Sequence, residues 1–306
     1  MKFRDKIKWR INFFKKSIKN KKISSEFIID ILPSHLINKQ RRRAVDKILK
    51  SSNLFNITDI DDNLNLFSAG KLKFVYFKNL DYADPINQFL EIIYPNLDKN
   101  LYPSIKNLVN SKWFSQEGPY EEDGVQIAKG DVVIDAGANI GLFSILAGGK
   151  TGKEGKVFAF EPIKINRSLL EENIKLNGLK NVEISHFALG DSNKELKFSM
   201  ESQYPAGASG VSTHDGGEEE IVSQITLDEF VKQNNVKRVD FIKADIEGME
   251  KNLLKGAEQT IKKFRPKMAI CTYHLPDDPE ILERIIKDFV PQYKMIKTFT
   301  KLYAWI

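Results

Sequence analysis

From Asp131 to the end of this 306-residue chain, short apolar runs alternate with stretches of helical period. Val132-Val133-Ile134-Asp135, Lys156-Val157-Phe158-Ala159-Phe160-Glu161, Val182 to Asp191, Val239 to Asp245 and Met268 to Tyr273 read as strands. Most are continuous in apolar character, as strands buried on both faces of a parallel sheet are. Between them, Ile165 to Asn177 reads as a helix closed by Gly178, which suits a left-handed cap. Met249, Leu253, Leu254, Ala257, Ile261 and Phe264 fall on one helical face. Pro279 to Phe289 reads as a further helix, and Tyr293 to Ile306 as a terminal antiparallel strand pair. This order predicts a doubly wound, Rossmann-like α/β sheet. Right-handed crossovers then bring Asp135, Glu161, Asp245 and His274 to one carboxyl edge, where open sheets bind ligands.

The first strand runs into Asp135-Ala136-Gly137-Ala138-Asn139-Ile140-Gly141 and opens a helix. Gly137, Ala138, Asn139 and Gly141 can bring backbone close to a ligand there. A dinucleotide would set an anionic pyrophosphate against this turn and favours G-x-G-x-x-G, whereas Asp135 would repel it. The ammonium and sulfonium of S-adenosylmethionine suit a carboxylate better. Glu161, about twenty residues past the loop, stands where such folds hold ribose hydroxyls. Phe187 and Ala188 line an adenine slot or simply pack the core; their residue types allow both.

On the acceptor side, Asp245 and Glu247 are the carboxylates at the fourth strand tip, able to position a nucleophile or take its proton, and Asp245 could instead bind the methionine ammonium. Asp245 as a cap for the helix beginning near Gly248 is the plainer alternative. His274 has the chemistry of a general base, or is an ordinary packed histidine. His214 lies in a glycine-rich stretch that is a lid or a plain insertion. Four histidines and one cysteine show no zinc spacing. Asp245 and Glu247, two residues apart at a strand end, are expected to point oppositely, so the mechanism is expected to need no metal.

The run IDAGANIG at Ile134 to Gly141, FEP at Phe160 to Pro162, HFALGD at His186 to Asp191, VDFIKADIEGMEKNLLKGAE from Val239 to Glu258 and AICTYHLPDD from Ala269 to Asp278 resembles the FkbM family of AdoMet-dependent methyltransferases. The resemblance spans roughly Ser115 to Ile306 and rests on the order of several motifs. It implies a class I methyltransferase fold and methyl transfer, commonly to oxygen of a sugar or natural product. It also implies that the approach segment holding Tyr120 and Glu121 lies against the cofactor, although a surface loop is the simpler reading.

Composition narrows the alternatives. A lone cysteine, Cys271, excludes an internal disulfide and sits in an apolar strand. No apolar run reaches transmembrane length and no cleavable signal is visible, so a cytoplasmic enzyme is expected. Residues 1–22 carry ten basic residues against Asp5 alone, a net +9, leaving −3 for the rest of a +6 chain. Phe3, Ile7, Ile11, Phe14 and Ile18 form one stripe of that arm, a basic amphipathic helix suited to an anionic membrane surface, or else a helix docked on its own domain. Peripheral attachment to the inner face of a membrane is therefore an expectation. Residues 23–112 form a mostly helical accessory region; Arg41-Arg42-Arg43 leads a helix there, while Leu72 to Phe77 reads as a strand. Residues 113–306 form the catalytic domain. A nearly neutral body, with Glu218-Glu219-Glu220 beside the glycine-rich stretch, speaks against a nucleic-acid acceptor and for a small molecule or glycan. A nucleic-acid methyltransferase and a non-catalytic AdoMet- or nucleotide-binding protein are the alternative readings.

Overall fold

The computed structural model describes residues 56–69, 72–78, 119–122, 124–201, 204–209, 218–275, 277–298 and 300–306. The basic arm, most of residues 23–112 and the His214 stretch lie outside them. Strands β1 (Asn56–Asp59), β2 (Leu64–Ala69) and β3 (Leu72–Phe77) form a three-stranded sheet. The strand expected at Leu72 to Phe77 is thus present, and where it is described the accessory region is strand and not helix.

The main domain then runs β4 (Val132–Ala136), α1 (Leu142–Thr151), β5 (Lys156–Phe160), α2 (Lys164–Leu176), β6 (Val182–Ser185) and β7 (Ala188–Leu189). It continues with β8 (Lys194–Glu201), β9 (Tyr204–Ser209), β10 (Glu218–Ile225), α3 (Leu227–Gln233), β11 (Phe241–Ala244), α4 (Glu250–Gly256) and α5 (Glu258–Phe264). It closes with β12 (Lys267–Cys271), α6 (Asp278–Phe289), β13 (Lys294–Lys297) and β14 (Lys301–Trp305).

Seven strands make the central sheet in the order β13-β14-β12-β11-β4-β5-β6. From β12 to β6 every pairing is parallel, while β14 runs antiparallel to both β12 and β13. This is the expected doubly wound arrangement, with its terminal antiparallel pair. The order reverses between β4 and β11, so the tips of those two strands face the crevice where doubly wound sheets take ligands.

The central strands are buried on both faces, and β11 shows the consequence: Phe241, Ile242, Lys243 and Ala244 are all buried. Phe158 and Phe160 of β5 meet Phe230 of α3 edge to face at 5.3 and 4.7 Å, and each buried aromatic is worth roughly 1.5–3 kcal/mol. Gly178 ends α2 with φ 63°, as its position in the sequence requires.

Two expectations change. The strand expected over Val182 to Asp191 leaves the central sheet after Ser185; Ala188 and Leu189 pair instead with β10, in a second sheet ordered β7-β10-β8-β9. The helical face from Met249 to Phe264 is carried by two helices broken at Ala257, whose φ of −112° leaves the helix. Both halves still bury their apolar residues in the main core, so the periodicity survived the break.

Two asparagines fix the accessory sheet. Asn173 of α2 accepts the Val75 N–H at 2.6 Å and donates to the Val75 carbonyl at 3.1 Å and the Ile140 carbonyl at 2.7 Å. One turn on, Asn177 repeats the pattern against Lys73, accepting at 3.2 Å and donating at 2.6 Å. Spaced four apart, they face the strand from one side of the helix and pair its backbone as a neighbouring strand would.

Candidate functional site

The glycine loop is tied to its own fold. Gly137 and Ala138 both donate their N–H groups to the Phe160 carbonyl, at 3.1 and 2.9 Å. Asn139, in the left-handed region at φ 50°, donates to Glu161 Oε2 at 2.8 Å. With those donors engaged, the loop offers no cradle for a pyrophosphate, in agreement with the charge argument. Gly137 is needed for a different close approach: at φ 78°, a Cβ there would lie 1.9 Å from the Asp245 carbonyl. The absent side chain lets the tips of β4 and β11 converge.

Asp135 takes a different task from the expected one. Its side chain is fully buried, its Oδ1 lies 3.0 Å from Lys243 Nζ, and its Oδ2 accepts 2.6 Å from Ser144 Oγ. Lys243 is its direct neighbour in the β4–β11 register and also donates to the carbonyls of Ala136 (3.2 Å) and Gly137 (2.6 Å). Burial alone would lower the Lys243 pKa, but Asp135 and then Asp245 outweigh it and hold it raised. The Asp135 charge is therefore matched inside the protein. Its carboxylate anchors the lysine that donates to the loop carbonyls.

Glu161 stays at the β5 tip as the sequence places it, buried, with Oε1 accepting from Ile163 N at 3.0 Å and Oε2 from Asn139 N. Burial lifts its pKa to about 7 against the pull of those hydrogen bonds. The Asn166 side chain bonds the same carboxylate. Ala188 is buried with Ile163, Phe198 and Val222 in a small core cluster, and Phe187 packs against the main core. Their structural contacts are thus core packing, and Ala188 follows from the strand leaving the sheet at Ser185.

The acceptor side assembles around Asp245. Its Oδ2 accepts from the Tyr120 hydroxyl and its Oδ1 from the Tyr273 hydroxyl at 3.1 Å. Tyr120 is buried, which corrects the surface-loop reading. The buried Lys301 ammonium lies 4.3 Å from the centre of its ring, and that of Lys243 lies at 5.2 Å. Glu121, in contrast, holds the domain entry by accepting from Ile127 N and pairing with Lys150. Burial would raise the Asp245 pKa, but Lys243, His274 and Lys301 hold it below its ordinary value.

His274 is enclosed by carboxylates. Its Nδ1 lies 2.9 Å from Glu250 Oε1, and its Nε2 lies 3.5 Å from both Asp245 Oδ1 and Glu247 Oε2. Burial alone would lower its pKa; the contact with Glu250 and the charges of Glu250, Asp245 and Glu247 outweigh that and lift it to about 9. The ring expected as a general base thus lies against three carboxylates, which favour its charged form.

Glu247 overturns the expectation of opposed side chains. It is not extended but left-handed at φ 52°, followed by Gly248 at φ 92°, so the chain turns back and both carboxylates reach Nε2. Burial, opposed by His274 and reinforced by Asp245 and Glu250, raises its pKa to about 7.

Among the described residues, Asp245, Glu250 and His274 present ligand atoms within 4.8 Å of one another.

Glu250, Lys243, Tyr273 and Lys301 were not singled out from the sequence. Lys243 had a signal: a lysine inside the apolar run Phe241 to Ala244 has to be paired when that strand is central. Glu250 looks like a solvated first-turn glutamate, and only the meeting of α4 with the β12 tip buries it.

Comparison with known proteins settles the class. The methyltransferase FkbM domain matches residues 135–294, just over half of the chain. The chain belongs to the FkbM methyltransferase family. Hexuronic acid methyltransferase AglP of Haloferax volcanii is 27% identical over 158 residues, covering 52% of this chain and 62% of that protein. Methyltransferase 1 of Beauveria bassiana is 25% identical over 145 residues, 41% of this chain and 58% of that protein. The chain thus spans about three-fifths of the length of these relatives. The crystal structure of methyltransferase FkbM from Methylobacillus flagellatus is similar at 22% identity and a TM-score of 0.48, over 74% of this chain and 59% of that one.

S-adenosyl-L-methionine is the expected cofactor of this FkbM domain. The site is compatible with it: Glu161 stands at the β5 tip bonded to the glycine loop, and the N–H groups of Gly137, Ala138 and Asn139 are engaged within the fold, leaving no anion cradle there. Among the described residues no helix is long and apolar enough to cross a membrane.

Proposed function

We propose that this methyltransferase alkylates an oxygen of a sugar-type or natural-product acceptor. The observation that carries the reading is the cluster of Asp245, Glu247 and His274 at the carboxyl edge beside the glycine loop. Bound S-adenosyl-L-methionine supplies a methyl group on a sulfonium, so the protein has to place a nucleophile in line with it and relieve that nucleophile of a proton. Hydroxyl groups are the acceptors that gain most from carboxylates able to accept a hydrogen bond and then a proton. The name of the AglP relative, a hexuronic acid methyltransferase, supports a sugar acid as the first acceptor class to try.

The test incubates the intact protein with methyl-labelled S-adenosyl-L-methionine and a panel of glucuronic acid, galacturonic acid, their nucleotide-linked forms, neutral sugars and a structured RNA. Mass spectrometry locating the new methyl group on a sugar oxygen is the expected result. Label in the RNA base fraction would overturn the acceptor class, and binding of the cofactor with no transfer to any acceptor would favour a binding protein.

A further inference from the structure

An acceptor hydroxyl that becomes an ether loses a proton, and four carboxylates, Asp245, Glu247, Glu250 and Asp278, are gathered around His274. Their accessibility separates them. The side chains of Glu250 and Asp278 are completely buried and that of Asp245 is 15% exposed, whereas Glu247 is 39% exposed. Asp245 receives the hydroxyls of Tyr120 and Tyr273 and sits next to two lysines, all of which stabilise it as an anion and make it a weak proton acceptor. Asp278 takes the Leu275 N–H at 3.0 Å and closes the turn before α6. Glu250 takes the Ile246 N–H at 2.9 Å and the charge of His274.

We propose that Glu247 is the proton acceptor of the methyl transfer and that the buried Glu250–His274 ion pair is the positioning device that holds it. This rests on the oxygen-methylation reading above. The backbone supports it: a glutamate in the left-handed region is strained, and such strain persists where the surrounding structure enforces it, often at functional sites. His274 links the two glutamates, with Nδ1 toward Glu250 and Nε2 toward Glu247.

The groups acting on Glu247 come from three directions: His274 after β12, Asp245 and Lys243 from β11, and Glu250 from α4. Behind them, Lys301 of β14 acts on Asp245, while Asp278 of α6 faces Glu250 and His274. Together they leave Glu247 titrating close to neutrality, where a general base works best. In the step itself the acceptor O–H bond breaks with its electron pair left on oxygen, which bonds the methyl carbon as the carbon–sulfur pair stays on sulfur. The proton passes to the Glu247 carboxylate, which becomes neutral and, being accessible, returns it to solvent.

The test follows the protein first without an acceptor. Side-chain carbon NMR of glutamate-labelled protein, with E247Q identifying the signal, is expected to show Glu247 titrating near 7. Imidazole nitrogen NMR of the four histidines, His35, His186, His214 and His274, is expected to show His274 protonated through neutrality and E250Q moving its titration toward ordinary histidine values. With an acceptor from the panel, the single-turnover rate of wild type should rise with pH through about 7. E247Q should lose that dependence and roughly 100- to 10,000-fold of the rate, with S-adenosyl-L-methionine affinity and melting temperature unchanged and E247D partly rescuing. E250Q should shift the pH profile with a smaller loss of rate.

A Glu247 carboxyl titrating as an ordinary exposed glutamate, a His274 titration indifferent to E250Q, or an E247Q rate within about threefold of wild type would each overturn the proposal. Failure of every acceptor would count against the oxygen-methylation reading alone, since the two titrations judge the Glu247 assignment without turnover.

Discussion

At the scale of single residues, the buried Asp135–Lys243 pair sets the geometry of the loop, and its energetics are asymmetric. Replacing both partners by apolar groups is often tolerated, while removing one strands the other in the core. Lys243→Met is therefore expected to destabilise the protein by roughly 3–5 kcal/mol; an unchanged urea midpoint would show that Asp135 does not need its partner. Glu161→Ala should weaken S-adenosyl-L-methionine binding by roughly 1–3 kcal/mol through lost ribose hydrogen bonds, and calorimetry should find no NAD binding. Chelation is expected to leave cofactor affinity and rate unchanged; loss of activity restored by magnesium would contradict this and point to a metal at Asp245, Glu250 and His274.

The same groups fix the sign of the pH dependence. His274 has a folded-state pKa raised from 6.5 to about 9, so its contribution is complete below 6.5 and disappears as pH rises through 9. Glu161 and Glu247, raised from 4.5 to about 7, bind more protons folded than unfolded between those values, so they too lower stability as pH rises through that window. All three act in one direction. The unliganded protein should melt higher at pH 6 than at pH 9, and a scan across that range showing the opposite trend would mean that His274 is not protonated in the fold.

At the scale of elements, the accessory sheet is fastened to α2 by side-chain amides that imitate a strand edge. Asn173 is fully buried and makes three hydrogen bonds, two of them to Val75. Asn173→Ala would leave those backbone groups unpaired and should cost roughly 2–4 kcal/mol, with limited proteolysis expected to cut first within residues 56–77. Cleavage elsewhere at wild-type rates would show that the amide pairing is not what fastens β3. The Asn173 and Asn177 spacing is visible in the sequence but reads as an ordinary polar helix face, because its partner, the backbone of β3, lies nearly a hundred residues earlier.

At the scale of the whole molecule, the charge of residues 1–22 should make the intact protein sediment with anionic vesicles at low salt, with about 1 kcal/mol gained for each basic residue near the surface. Removal of those residues should abolish sedimentation and leave cofactor affinity intact; a full-length protein that ignores such vesicles would end the membrane expectation. By itself the sequence determined the parallel core of the central sheet, the helices over Ile165 to Asn177 and Pro279 to Phe289, the terminal antiparallel pair and the presence of Asp135, Glu161, Asp245 and His274 on one edge. Those follow from local apolar periodicity and from the handedness of crossovers, which hold whatever the side chains do at the tips. Only the tertiary structure decided what each tip does. A charge's role depends on what surrounds it in space: Lys243 turned Asp135 inward, three carboxylates closed around His274, and one left-handed residue brought Glu247 back beside Asp245. Electrostatic environment is a sum over neighbours that lie far apart in the chain, and burial multiplies each contribution, so no reading of local pattern contains it.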